Sequence, residues 1–150
     1  MDGSGEICGE NQEVELEKDF PIPVKTFTMG DIVDVTVCLA ISTSYFIIQT
    51  NSSVLELEEL SIDMFCFYEE EEGGVMVELD HRKKGKVVAV RHEEGDWYRA
   101  RITEVLTDNH MMVRLLDYGD LEMVEAMDMR ILGKQFMVLP AQAVNASWLV

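Results

Sequence analysis

Two tyrosines stand beside charged residues in two apolar segments of the chain, Tyr98 in DWYRARITEVL and Tyr118 in VRLLDYGDLEMV. A tyrosine ring attracts a Lys or Arg side chain through its π face, by about 0.5–2 kcal/mol for each good contact. The same ring can also fill a core, provided that its hydroxyl finds a hydrogen-bond partner. The sequence therefore offers two interpretations of these tyrosines: two walls of a pocket for a cation, or two core side chains.

Tyrosines act together only if neighbouring strands hold them in place. EEG joins KGKVVAVRH to DWYRARITEVL, TDNH leads into MMVRLLDY, and GD leads into LEMVEAM. Four short strands with such turns predict a small bent antiparallel sheet or barrel. Side chains alternate along a strand, so Trp97 and Tyr98 face opposite ways. We expect Trp97 to be a core residue.

The remaining sequence predicts a second β-rich part and one helix. DIVDVTVCLAIS and YFIIQT are typical of a strand pair, and AVNASWLV is typical of a strand that returns to it. A helix over residues 53–68 is indicated by Ser53 with Glu56 three residues later and by apolar residues at helical spacing. The acid run Glu69–Glu72 is unfavourable at a helix C-terminus, so we expect it to fray or lie in a loop.

Composition limits the functional classes. The 150 residues include 12 Lys and Arg and 29 Asp and Glu, for a formal charge of −17. This field favours basic partners and disfavours nucleic acid. Three cysteines without a CxxC pair and three scattered histidines argue against a zinc site, and no phosphate loop or nucleophile elbow is present. We expect no catalysis, no cofactor, no secretory signal and no membrane span.

GKVVAVRHEEGDWYRARITEVL and MMVRLLDYGDLEMVEAMDMRIL resemble the extended type of Tudor domain found in germline Tudor proteins. Three motifs carry this resemblance: WYRA, DYG one hairpin later, and LPAQA. It implies a mainly β fold in which a Tudor barrel is inserted in a partial staphylococcal-nuclease-like subdomain with a linker helix. The expected parts are an acidic disordered tail over 1–29, the first nuclease-like part over 30–74, the barrel over 75–135 and a returning strand over 136–150.

The resemblance also implies an aromatic cage that takes an arginine or methylated arginine. Tyr98 and Tyr118 match two of its four walls. Arg91 takes the first aromatic position, or His92 does if the hairpin register shifts. Leu115 takes the third aromatic position, and Asp120 stands where the family has asparagine. We expect an incomplete cage that favours an unmethylated guanidinium, with its five donors.

Arg99 and Asp117 belong to the same signature, and we interpret them as a structural ion pair. The leading functional hypothesis is an adaptor that binds arginine-rich segments of PIWI-class proteins in germline small-RNA silencing, in the cytoplasm at perinuclear germ granules. A second is a module with a decayed cage, which docks partners such as other Tudor or granule proteins through its acidic surface or the groove between its subdomains. A third is a nucleic-acid-processing enzyme, which the net charge opposes.

Overall fold

The computed structural model describes residues 21–93 and 95–147 and consists mainly of two antiparallel sheets. One α-helix of the described residues, α1 (Val54–Met64), continues as a π-helix over Phe65–Glu70, and we call this continuous stretch the helical segment. The strands are β1 (Val35–Ala40), β2 (Tyr45–Thr50), β3 (Val87–Arg91), β4 (Trp97–Thr107), β5 (His110–Leu115), β6 (Leu121–Glu125), β7 (Met129–Ile131) and β8 (Val144–Ser147).

The three-stranded sheet has the order β1-β2-β8. A tight hairpin joins β1 to β2, with the N–H of Ile41 donating to the Tyr45 carbonyl at 3.0 Å. β8 pairs antiparallel with β2, and Phe46 lies opposite Ala146. The predicted strand pair and the predicted returning strand are therefore both confirmed.

The five-stranded sheet has the order β6-β5-β4-β3-β7. Its antiparallel ladders place Arg91 opposite Trp97 and Ala100 opposite Leu115. Within the described residues no ladder joins β6 to β7, because the short strand β7 turns away to pair with β3. The predicted bent antiparallel sheet is confirmed, and the barrel stays open at this point.

The five-stranded sheet buries apolar residues on both faces of β3, where Val87 to Val90 are all buried. The first core lies on one face and includes Val88, Val90, Ala100, Ile102, Met111, Val113 and Met129. The second core lies between the other face and the helical segment and includes Met64, Tyr68, Val87, Ala89, Trp97, Leu132 and Phe136. Trp97 is 3% exposed, so its predicted core position is confirmed.

The helical segment runs further than the sequence predicts, through Glu69 and Glu70 rather than ending at residue 68. The expectation that the acid run frays or lies in a loop was wrong for Glu69 and Glu70, whereas Glu71 and Glu72 follow the helical segment. Glu69 accepts hydrogen bonds from Arg91 and Trp97, which offset the unfavourable interaction of a carboxylate with the helix C-terminus. In the described part of the chain, no helix has the length and apolar character to cross a bilayer.

The predicted tail over 1–29 contains residues that pack against the fold. Ile22 is 2% exposed and belongs to the second core, and Val24 forms a parallel bridge with Ala141. Burial of an isoleucine side chain contributes about 1.5–3 kcal/mol, which helps to hold this flanking segment against the fold. Residues 1–20 lie outside the described residues.

Candidate functional site

An open cavity of about 200 Å³ lies where the two sheets meet. Its walls come from β1, β4, β5 and β6 and from the turns that follow β3 and β5. The residues that line it are Cys38, His92, Tyr98, Leu115, Tyr118, Asp120 and Glu122.

Three rings stand edge to face around this cavity. The Tyr98 and Tyr118 ring centroids are 5.4 Å apart at 75°, and those of His92 and Tyr98 are 5.8 Å apart at 74°. Both tyrosines are half-buried and also pack against the first core. They are therefore core side chains at one edge and cavity walls at the other, so neither of the two interpretations suffices alone.

Strand alternation places Tyr98 in the cavity, because its neighbour Trp97 enters the second core on the opposite face of β4. Tyr118 lies instead in the turn between β5 and β6. The N–H of Gly119 donates to the Leu115 carbonyl at 2.8 Å, and Gly119 has φ +92°, a conformation that favours glycine. This turn fixes the Tyr118 ring beside Tyr98.

The turn is also docked against β2 of the three-stranded sheet. A Cβ on Gly119 would lie 2.5 Å from Cδ1 of Ile47, so only glycine permits this approach. Gln49, which lies on β2 like Ile47, donates a hydrogen bond from its side-chain amide to the backbone carbonyl of Asp117. Contact between the two sheets thus determines where Tyr118 stands.

Arg99 and Asp117 form the structural ion pair that the sequence predicts. Arg99 is fully buried, with Nε donating to Asp117 Oδ2 at 2.9 Å and Nη2 donating to Oδ1 at 2.5 Å. Its remaining donors bind backbone carbonyls of the segment before β8, namely those of Phe136, Leu139 and Pro140. Since its nitrogens are engaged within the protein, Arg99 belongs to the scaffold of the site.

Two carboxylates make the cavity acidic, whereas burial favours the protonated forms of the Tyr118 hydroxyl and the Cys38 thiol. Asp120 and Glu122 supply carboxylates, with Glu122 Oε2 3.6 Å from Nε2 of His92. Burial raises the pKa of the Tyr118 hydroxyl, against a smaller opposing effect of its hydrogen bond with Ser61. Burial, reinforced by Asp120, raises the pKa of the Cys38 thiol. Burial thus keeps Cys38 in its less nucleophilic, protonated form, and the two carboxylates make the cavity attractive to a cation.

Five of the six residues expected at the site line the cavity, and Arg91 does not. Its Nε donates to Glu69 Oε1 at 2.7 Å and its Nη2 to Oε2 at 3.0 Å, on the helical side of the sheet. Placing Arg91 in the first wall was therefore wrong, because a shift of one residue along a strand exchanges its two faces. The alternative placement agrees with the structure, in which His92 occupies that wall.

Two lining residues were absent from the predicted set. Glu122 follows Asp120 at the spacing of one strand face, so alternation along β6 could have identified it. Cys38 belongs to the other sheet, at a bulge of β1 between Val37 and Leu39. No local pattern links that strand to the tyrosines.

The other polar clusters of the described residues do not suggest a metal centre. Within 21–93 and 95–147, no group of three or more His, Cys, Asp or Glu side chains is arranged to hold a metal ion. Every buried side-chain nitrogen and oxygen in those ranges has a hydrogen-bond partner. The cavity between the sheets is therefore the candidate functional site.

Comparison with known proteins agrees with this architecture. Residues 27–148 match the Tudor domain family model. The chain is 35% identical over 130 residues to Tudor domain-containing protein 7 of Bos taurus, in a match that covers 86% of the chain and 11% of that protein. The chain thus spans about a tenth of the length of the curated relatives that it matches.

Solved structures share the fold. Extended Tudor domain TD3 of mouse TDRD1, in complex with a MILI peptide containing dimethylarginine, matches with a TM-score of 0.74 at 24% identity, over 83% of this chain and 63% of that one. The extended Tudor domain of Drosophila melanogaster Papi, in complex with a Piwi N-terminal peptide, matches with a TM-score of 0.69 at 24% identity, over 75% and 58%. The chain has the extended Tudor fold and belongs to the Tudor domain family.

Proposed function

We propose that this chain is a non-catalytic adaptor module whose cavity between the sheets binds an arginine side chain of a partner protein. The observation that carries this proposal is the Tyr98–Tyr118 ring pair, nearly perpendicular and 5.4 Å apart, beside the carboxylates of Asp120 and Glu122. Rings and carboxylates together match both the flat π surface and the positive charge of a guanidinium.

Each feature of the cavity meets one property of such a guest. The ring faces attract the cation by about 0.5–2 kcal/mol for each good contact. The carboxylates accept N–H donors in charge-assisted hydrogen bonds, which are about twice as strong as neutral ones. The acidic chain, at −17, also accelerates the approach of basic segments and repels phosphate backbones. An arginine-rich peptide satisfies all three conditions, and nucleic acid fails the last.

The proposed partners are PIWI-class proteins of the germline small-RNA silencing pathway, in the cytoplasm at perinuclear germ granules. Similar extended Tudor domains have been solved in complex with a MILI peptide and with a Piwi peptide. The curated relatives are Tudor domain-containing proteins that are much longer than this chain. These relationships support the choice of partner class, which rests on shared fold and family.

A second candidate function is docking through the acidic surface or the groove between the sheets, without an arginine in the cavity. His92 and Leu115 favour this alternative, because one wall is an imidazole and another has no π face. Such docking would depend on charge and salt in the same way as arginine binding. Only a test directed at the rings separates the two functions.

The test is calorimetric titration of an arginine-rich peptide against the parent, Tyr98→Ala and Tyr45→Ala. Tyr45 lies on β2 outside the cavity lining, so it is a matched control for the loss of a tyrosine. We expect Tyr98→Ala to weaken binding at least about tenfold and Tyr45→Ala to leave it within about twofold. A lysine version of the peptide should also bind more weakly, because an ammonium lacks the planar face. If Tyr98→Ala binds like the parent, the partner docks outside the cavity.

A further inference from the structure

Glu69 holds together two residues that flank the turn between β3 and β4. Its Oε1 accepts hydrogen bonds from Nε of Arg91 at 2.7 Å and from Nε1 of Trp97 at 2.8 Å, and its Oε2 accepts one from Nη2 of Arg91 at 3.0 Å. Bonds that involve an ionised donor and acceptor are the strong ones in proteins. One carboxylate of the helical segment therefore fastens both strands of the hairpin at its end.

Arg91 and Trp97 are directly opposed in the β3–β4 ladder, so both side chains leave the same face. The next residue along each strand, His92 and Tyr98, faces the cavity on the other side. The turn is tight, because the N–H of His92 donates to the Asp96 carbonyl at 2.7 Å. The backbone of His92 is thus held on both sides, by the Arg91–Trp97 pairing and by its own hydrogen bond to Asp96.

The helical segment that bears Glu69 is itself fixed. Tyr68 stacks on Trp97 with ring centroids 5.0 Å apart, and its hydroxyl donates to the Ile131 carbonyl at 2.8 Å. Ser61, on α1, lies close enough to Tyr118 to lower the pKa of its hydroxyl. The same helical segment thus lies beside the cavity wall at Tyr118 and reaches the wall at His92 through Glu69.

We propose that Glu69 is a positioning residue for the cavity: by holding Arg91 and Trp97, it fixes the turn that carries His92 and so sets the His92–Tyr98 spacing. It also keeps the Arg91 guanidinium on the helical side of the sheet, away from a cationic guest. This inference rests on the proposed arginine binding. The hydrogen bonds from Arg91 and Trp97 lower the pKa of Glu69 to about 2, so the carboxylate is charged at neutral pH.

The first test compares Glu69→Gln with Glu71→Gln, which removes the same charge from an exposed position two residues along. We expect Glu69→Gln to weaken binding of the arginine-rich peptide about three- to tenfold and Glu71→Gln to change it less than about twofold. Equal effects of the two variants would mean that only net charge matters, and would overturn the inference. Arg91→Gln, which keeps the Trp97 bond, serves as a second variant with the same expectation should Glu69→Gln fold poorly.

The second test asks whether Glu69 acts through His92. If it does, Glu69→Gln weakens binding in the parent and has no further effect in a His92→Ala background, whereas a general loss of stability would weaken binding equally in both. The His92 ring resonances in NMR spectra should shift in Glu69→Gln and not in Glu71→Gln. Unchanged resonances or additive effects would overturn the inference.

A failure of the proposed function looks different from a failure of this inference. If neither the parent nor any variant binds the peptide, or if Tyr98→Ala binds like the parent, arginine binding in the cavity is refuted. If Tyr98→Ala abolishes binding while Glu69→Gln binds like the parent, arginine binding stands and the positioning role is refuted.

Discussion

Arg99 and Asp117 form a bidentate ion pair with the arginine fully buried, and each is the chain neighbour of a cavity tyrosine. Tyr98 precedes Arg99 on β4, and Tyr118 follows Asp117 in the turn after β5. The pair therefore connects the two backbone positions from which the rings extend. Because the ion pair is buried and does not line the cavity, it can fix the spacing of the two rings without contacting a guest.

Removing the carboxylate from this pair should destabilise the fold strongly. Asp117→Ala leaves a buried guanidinium without its counterion, and we expect a loss of about 3–5 kcal/mol in the free energy of unfolding. Urea denaturation followed by tryptophan fluorescence measures it. Asp120→Ala, in the cavity, removes the same charge and should cost less than about 1 kcal/mol. Equal costs for the two variants would show that the buried pair has no special structural role.

Trp97→Ala should cost about 3–5 kcal/mol, because it empties the centre of the second core. The same variant removes the indole donor to Glu69 and the ring that stacks on Tyr68. Trp97→Phe keeps a ring and should cost less. Thermal unfolding of both variants measures the difference. A Trp97→Ala variant that is as stable as the parent but binds no peptide would mean that Trp97 serves the site rather than the core.

Much of the site follows from local sequence. The period of two along β4 separates Trp97 from Tyr98, and that separation agrees with the structure. The ion pair of Arg99 and Asp117 lies within the signature that identifies the family, so it too can be predicted. Both features involve residues of β4 and of the turn after β5, which one hairpin brings together, so pattern and contact coincide.

The remaining features depend on contacts between distant parts of the chain. Periodicity alone leaves the register at Arg91 and His92 open, and the partner that decides it, Glu69, lies in the helical segment. The length of the helical segment also depends on the contacts of Glu69, because local sequence preference alone disfavours acidic residues at a helix C-terminus. Cys38 reaches the cavity only because the two sheets meet there. None of these contacts has a counterpart in local hydrophobic pattern.

The approach of Gly119 to Ile47 gives a prediction about the contact between the sheets. Gly119→Ala places a Cβ 2.5 Å from Cδ1 of Ile47 and adopts φ +92° with a side chain present, so it should destabilise the fold by more than about 1 kcal/mol. Ile47→Val in the same chain should relieve part of the clash. A double-mutant cycle by urea denaturation measures this coupling. If the two effects are additive, the turn does not rest on Ile47 in solution.

Glu69 should make stability depend on pH in acid. Its pKa in the folded protein is about 2, lowered from 4.5 by the hydrogen bonds from Arg91 and Trp97. Because the folded value is the lower one, the contribution is fully present above 4.5 and is lost as pH falls towards 2. The stability difference between parent and Glu69→Gln should therefore shrink across this window, whereas Glu71→Gln should show no such change. Urea denaturation at several pH values measures both, and a constant difference would contradict the ion pair.

Methylation of the guest arginine distinguishes a methyl reader from a general arginine site. Symmetric dimethylation enlarges the cation and removes donors, so it gains from π faces and loses where carboxylates accept hydrogen bonds. This cavity has two tyrosine rings and an imidazole, and it has carboxylates in Asp120 and Glu122. We therefore expect dimethylation to give no gain in affinity and up to about a tenfold loss, or about 1.4 kcal/mol. Calorimetry on paired peptides measures the ratio.

A designed variant tests the same reasoning in the opposite direction. His92→Phe supplies a third full π face, and Asp120→Asn removes one charged acceptor, so the double variant should bind the dimethylated peptide more tightly than the unmodified one. Leu115 is 3% exposed and packs in the first core, so it is left unchanged to avoid overpacking. Tyr45→Phe, outside the cavity, should keep the methylation ratio of the parent. If the parent already prefers the methylated peptide severalfold, His92 serves as a full wall of the cage. Its ring, edge to face with Tyr98 at 5.8 Å, would then outweigh the effect of the carboxylates, which favour the unmethylated guanidinium.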